Sequence, residues 1–168
     1  MKNQDDMSMS QRPRRLRVSQ VLRDVVCETR VHADQLIQPH FVLDQDSGVE
    51  AIDSMPTIDR MGRKDVLKRI EKDLDLGIRS VMIFGLAGNA PKDNTGSAAQ
   101  DSNGCVPKVV RELKRAFGSD LVVMTDVCLC AYTDHGHCGV LHEGRIQNDP
   151  SFWTRFRSRS CKCIIKHI

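Results

Sequence analysis

Residues 63–86, RKDVLKRIEKDLDLGIRSVMIFGL, change hydrophobic period partway along, and that change decides the fold class. Val66, Leu67, Ile70 and Leu74 recur at helical spacing among charged residues, which predicts an amphipathic helix from Arg63 to Leu76. Gly77 stands where a helix C-cap glycine belongs. Ser80 to Leu86 is then a near-continuous apolar run, the pattern of a strand covered on both faces.

The same alternation continues on both sides. Downstream, residues 87–104 form a long loop with Gly88, Pro91, Asn94, Gly96 and Gly104, and loops of this length are often functional. Val106 to Phe117 follows as a second helix, with Pro107 early, Val109, Val110, Leu113 and Phe117 on one face, and Gly118 past its end. A third strand runs from Leu121 to about Val127. Upstream, Leu36 to Leu43 reads as the first strand despite Pro39, which lacks a backbone donor, and a loop follows through Ser54-Met55-Pro56. Strand, helix, strand, helix, strand implies parallel βα units with right-handed crossovers, hence a barrel or a doubly wound sheet. No GxGxxG or P-loop pattern occurs, so dinucleotide and nucleoside-triphosphate readings lack their phosphate-binding chemistry. Residues 1–35 read as an arm: a basic stretch at 12–17, RPRRLR, then a short helix with Leu22, Val25 and Val26 on one face after a Ser19 cap.

At 168 residues and 40% hydrophobic content, the chain fits one globular domain. No apolar run reaches the ~18 residues of a membrane span, and the polar start lacks a secretory apolar segment, so a cytoplasmic setting without a membrane is expected. Seven cysteines, an odd number at uneven spacings, fit metal ligation better than a disulfide framework. The net charge of +3 comes from the tail. Residues 151–168 hold five of the 25 basic side chains and none of the 22 acidic ones, leaving residues 1–150 at 20 against 22, a net of −2. A nucleic-acid partner is therefore not expected.

Chemistry concentrates in residues 126–139, DVCLCAYTDHGHCG. In extended backbone, residues two apart point to one side, so Cys128 and Cys130 can converge on an ion while Val127 and Leu129 face the core. Gly136 and Gly139 permit the backbone angles that would fold Cys138 back toward them. Three thiolates suit Zn2+ and leave a position for water or substrate. The alternative is three buried cysteines acting as small apolar groups. Location favours the metal, because the segment follows the C-terminal end of a parallel strand, where α/β barrels assemble their sites. His135 and His137 fit structural or supporting roles better than ligation. Asp126 is read as ordering a ligand or a substrate amine, and Cys27 and Cys105 as inert.

These segments together resemble the zinc-type porphobilinogen synthase family, also called 5-aminolevulinate dehydratase. The resemblance rests on RPRRLR at 12–17, the strand with Pro39 and Phe41, Ser54-Met55-Pro56 with Arg60, Gly77-Ile78 with Phe84-Gly85, Lys92-Asp93 with Gly96-Ser97, and above all residues 126–139. It covers about residues 11–150. It implies a (β/α)8 TIM barrel, here an incomplete one of about three βα units preceded by an extended N-terminal arm. The implied reaction is that of a hydro-lyase condensing two 5-aminolevulinate molecules to porphobilinogen in tetrapyrrole and haem synthesis. Cys128, Cys130 and Cys138 match the zinc ligands, Asp126 matches an acid beside them, and the arm matches an extension that wraps a neighbouring subunit of a homo-octamer. Thr57 stands where the family often has glycine.

The resemblance also implies two Schiff-base lysines in the second half of the barrel, outside these residues. Lys92 and Lys108, in loop and helix-start positions, read as solvated rather than desolvated amines, so the chain alone is expected to be inactive. The division expected is an arm at 1–35, the first part of the barrel at 36–150 and a non-family basic tail at 151–168, SFWTRFRSRSCKCIIKHI, read as a frameshift product or truncation. The alternative functions are a zinc-stabilised binding module, with Cys161-Lys162-Cys163 in its tail, and a truncated partner of the full-length enzyme.

Overall fold

The computed structural model describes residues 14–86, 88 and 91–157. The chain falls into two units, residues 1–32 and 33–168.

In the first unit a 3-10 turn at Arg15–Arg17 precedes helix α1, Gln20–Val25, and neither contains a buried residue. The expected cap is present, with the Ser19 hydroxyl accepting the Leu22 N–H at 3.1 Å. It satisfies one of the donors that a helix start leaves open. Val18, Val21 and Val25 are each more than 70% exposed, so this segment buries almost nothing by itself.

The second unit is built on a sheet ordered β2-β3-β1-β4-β5, in which β2 is Val49–Ala51 and β3 is Asp59–Met61. Its centre is β1, Ile37–Val42, paired in parallel along its whole length with β4, Ser80–Gly85, which in turn pairs in parallel with β5, Val122–Thr125. Helix α2, Arg63–Asp75, lies in the crossover from β1 to β4, and helix α3, Cys105–Phe117, connects β4 to β5. The parallel βα units expected from the sequence are therefore present. Pro39 is tolerated because β3 joins β1 only at Phe41 and Val42, so the residue without an N–H has β4 as its one neighbour.

The sequence reading assigned only loop to the segment around Ser54-Met55-Pro56, and the structure differs. Strands β2, Val49–Ala51, and β3, Asp59–Met61, form an antiparallel hairpin whose second strand lies parallel to β1. Three-residue strands with no buried position carry no periodicity that a sequence reader can detect.

The core lies between the sheet and the helices: Val42, Val81 and Ile83 from the strands, Val66 and Ile70 from α2, Cys105, Val109 and Leu113 from α3, and Leu121. Leu67, Leu74 and Phe117 pack at its margin, as the helical spacing predicts. Gly77 closes α2 at φ +87°, with its N–H bonded to Leu74 O at 3.0 Å and that of Ile78 to Asp73 O at 2.9 Å. This is the paired C-terminal arrangement that favours glycine. Inside the same layer, His40 Nε2 of β1 lies 2.9 Å from Asp73 Oδ2 of α2, both side chains buried.

Beyond β5 come a small hairpin, β6 at Leu141–His142 and β7 at Arg145–Ile146, and helix α4, Asn148–Arg157. Helix α4 runs through residue 150, where composition had suggested a boundary. Ser151 is buried on it, its hydroxyl accepting the Val140 N–H at 2.9 Å. Residues 158–168, with Cys161-Lys162-Cys163, lie outside the described residues.

Candidate metal centre

Strand β5 stops at Thr125, two residues before the end expected from sequence. The Asp126 N–H still bonds Ile83 O at 3.4 Å, but its carboxylate Oδ1 accepts the Cys128 N–H at 3.0 Å and turns the chain out of the sheet. A second turn follows, in which Leu129 O accepts the N–H groups of Tyr132 at 2.9 Å and Thr133 at 3.0 Å. Continuous extended alternation is thus not what brings Cys128 and Cys130 together. Two turns do it, while Leu129 between them is buried in the core, as expected.

The return of Cys138 has two glycines behind it, and they act differently. Gly136 sits at φ +70°, the left-handed region that glycine enters without strain. Gly139 has an ordinary φ; a Cβ there would lie 2.7 Å from both Ile146 Cγ2 and Ser151 Oγ. Its role is close packing, so the expectation of special backbone angles holds for Gly136 alone.

These turns converge the sulfurs. Cys128 Sγ lies 3.1 Å from Cys130 Sγ and 2.8 Å from Cys138 Sγ, and all three fall within 4.8 Å of one another. Tetrahedral thiolate coordination at about 2.3 Å would hold sulfurs about 3.8 Å apart, so shifts of about 1 Å bring the two measured pairs to that spacing. The set fits a thiolate-preferring cation in spacing and in chemistry. Burial acts to raise the Cys128 thiol, but hydrogen bonds from the Cys138 thiol and from the backbone and thiol of Cys130 outweigh it, and Cys128 falls below the ordinary thiol range. Cys130, bonded to Cys128 and partly buried, is pushed up to about 12. A bound metal would favour ionisation of all three.

The long loop after β4 holds this segment from behind. Asp93 pairs with Thr133 in a short parallel bridge, its N–H on Tyr132 O at 3.4 Å and its O accepting Asp134 N–H at 3.2 Å. The Asp93 carboxylate accepts from Thr95 N and Oγ1, each at 2.8 Å, from Ser97 N at 3.1 Å and from Ser97 Oγ. The Ser97 and Thr95 donors hold it well below the usual carboxylate range. Sequence reasoning gave Asp93 and Thr133 no role. The alternation Asp93-x-Thr95-x-Ser97 is the one local signal, since these residue types fold such turns.

The remaining candidates take other positions. His135 has Nε2 3.3 Å from Asn94 O and accepts the His137 N–H at Nδ1 at 3.1 Å, so both ring nitrogens are engaged in the loop rather than turned to the sulfurs. His137 stacks on it at 5.5 Å. Cys105 is buried against Val42 O, and desolvation pushes its thiol up to about 11, whereas Cys27 is exposed. Lys92 is exposed, and Lys108 lies 3.6 Å from Asp44 Oδ1 with a 37% exposed side chain. A groove of about 450 Å3 between α2 and α3, lined by Arg63, Lys64, Leu67, Glu112 and Arg115, adjoins none of the three cysteines. No described helix is long and apolar enough to cross a membrane.

The profile of one family, described as delta-aminolevulinic acid dehydratase, matches residues 10–160. Among curated relatives, the delta-aminolevulinic acid dehydratase of Helicobacter pylori is 44% identical over 142 residues, 84% of this chain and 43% of its own length. That of Methanothermobacter thermautotrophicus is 46% identical over 83% of this chain and 42% of its length. The chain thus spans 42–43% of these two relatives. A solved structure of delta-aminolevulinic acid dehydratase (porphobilinogen synthase) from Toxoplasma gondii, in complex with the reaction product porphobilinogen, superposes with a TM-score of 0.82 at 32% identity, covering 89% of this chain and 43% of that one.

Proposed function

Since this chain belongs to the delta-aminolevulinic acid dehydratase family, we propose that it supplies the metal-binding portion of a site that condenses two 5-aminolevulinate molecules to porphobilinogen. The observation that carries this reading is the convergence of Cys128, Cys130 and Cys138 just beyond the C-terminal end of a parallel strand. Those three residues would hold Zn2+, which when bound supplies a Lewis acid near the second substrate.

The chain's own residues prepare that site. Binding of the metal would require the three thiols to give up their protons. Asp126 fixes the turn through the Cys128 N–H, and its second carboxylate oxygen would orient a substrate amine. His135 and the Asp93 loop support the segment without ligating.

Bond formation in this reaction calls for neutral amines that hold both substrates covalently, and the family resemblance puts those lysines beyond these residues. Every described lysine is exposed or half-buried, so none offers the desolvated amine required. A polypeptide of these 168 residues, assayed by itself, would therefore make no porphobilinogen. The expected partners are 5-aminolevulinate and further copies of the chain, joined through the N-terminal segment in a homo-octamer in the cytoplasm.

The test is an assay of the purified, zinc-loaded 168-residue chain for porphobilinogen, with borohydride trapping of 5-aminolevulinate. The expected result is metal bound, no product and no trapped substrate. Turnover with substrate trapped on one of its own lysines would overturn the inactivity, and failure to bind metal through the cysteines would overturn the site.

A further inference from the structure

We infer that the Thr133 hydroxyl is a positioning group for the metal centre: by fixing the peptide that precedes Cys138, it sets the spacing of the three sulfurs and with it the affinity for the metal. The inference rests on the reading that Cys128, Cys130 and Cys138 are the ligands.

Thr133 lies between Cys130 and Cys138 in sequence and is 1% exposed. Its hydroxyl donates to His137 O at 2.9 Å, the carbonyl immediately before Cys138. That bond closes residues 133–137 into a loop and directs the third sulfur back over the first two. The clasp works only if Thr133 is itself held, and three contacts hold it. Its N–H is fixed on Leu129 O, its backbone is bridged to Asp93, and Gly96 packs beside its methyl group. A Cβ on Gly96, which adopts φ +67°, would lie 3.5 Å from Thr133 Cγ2. Asp93 in turn is anchored through its carboxylate to Thr95 and Ser97. A buried donor thus rests on a rigid backbone frame and acts on a ligand through one bond.

Without the hydroxyl, His137 O turns to water and residues 134–138 gain freedom that metal binding must then remove. Groups that orient ligands in this way typically account for about 10- to 100-fold in metal affinity. Cobalt(II) is the probe, because thiolate-to-cobalt charge-transfer absorption reports ligand number as well as binding. The full 168-residue chain is titrated with Co2+ against a competing chelator as wild type, Thr133→Val, Thr133→Ser and Thr133→Ala. The expected result is about tenfold weaker binding and reduced charge-transfer intensity for Thr133→Val, with Thr133→Ser close to wild type. Thr133→Ala should be weaker than Thr133→Ser by a similar factor. That pair differs only in the hydroxyl and carries the test if the valine variant does not fold. Equal affinity within both pairs would overturn the positioning role while leaving the ligand assignment intact. Absence of thiolate-to-cobalt absorption in the wild type would instead overturn the ligand assignment itself.

Discussion

Cys128 Sγ and Cys138 Sγ lie 2.8 Å apart although ten positions separate them in sequence. Two turns and a buried threonine clasp produce that approach, and the first prediction follows from it. The isolated chain should take up about one zinc through thiolates. Cys128→Ser, Cys130→Ser and Cys138→Ser should each lower bound zinc, and Cys27→Ser should leave it unchanged. Metal analysis after dialysis checks this, and unchanged zinc in all three cluster variants would refute the assignment.

Thr57 adopts φ +72°, a conformation that crowds a β-branched side chain and costs about 1–2 kcal/mol. The sequence reading noted it only as a departure from the family's glycine. Thr57→Gly should stabilise the fold, by up to about 1 kcal/mol once the greater freedom of glycine in the unfolded chain is counted. A lower denaturation midpoint for the glycine variant would count against strain at this position.

The buried His40 and Asp73 pair gives a pH dependence of definite sign. Desolvation lowers the His40 pKa below its ordinary 6.5, even though Asp73 acts to raise it. Below that value the unfolded chain binds more protons than the folded one, so this contribution is present above about pH 6.5 and lost as pH falls toward the folded pKa. Melting temperature should decline between pH 7 and 5. His40→Gln should flatten that decline, and an unchanged slope in the variant would assign the effect to other groups.

Gly136 and Gly139 separate backbone strain from packing in one loop. Gly139→Ala places a methyl group 2.7 Å from Ile146 Cγ2 and Ser151 Oγ and should destabilise by about 1–3 kcal/mol. At Gly136 a Cβ meets nothing within 4 Å, so Gly136→Ala should cost only the backbone term, about 1–2 kcal/mol. Chemical denaturation of both variants, with Ile146→Ala added to each, distinguishes them. Truncating Ile146 should recover part of the loss for Gly139→Ala and none for Gly136→Ala.

Much of the fold is legible in the sequence because its major elements announce themselves locally. Helices α2 and α3 carry apolar faces at helical spacing and end at Gly77 and Gly118, and β4 is a near-continuous apolar run. The β2–β3 hairpin is not legible, since none of its residues is buried and its register depends on β1. At the site, the cysteines and their place after a strand are legible, but the route by which they meet is not. Asp126 bends the chain where alternation predicts extension, and the Asp93 to Thr133 bridge joins distant segments that carry no mutual signal in one sequence.

That bridge also bears on the order of assembly. Asn94 and His135, bonded beside it, are 41 positions apart with α3 and β5 between them, so closing that loop costs least once those intervening elements are packed. The cysteine segment is therefore expected to take its final path after α3 has packed and β5 has joined β4. Metal capture should therefore trail sheet formation in a refolding experiment, which makes the cluster a built-in clock for the last stage of folding.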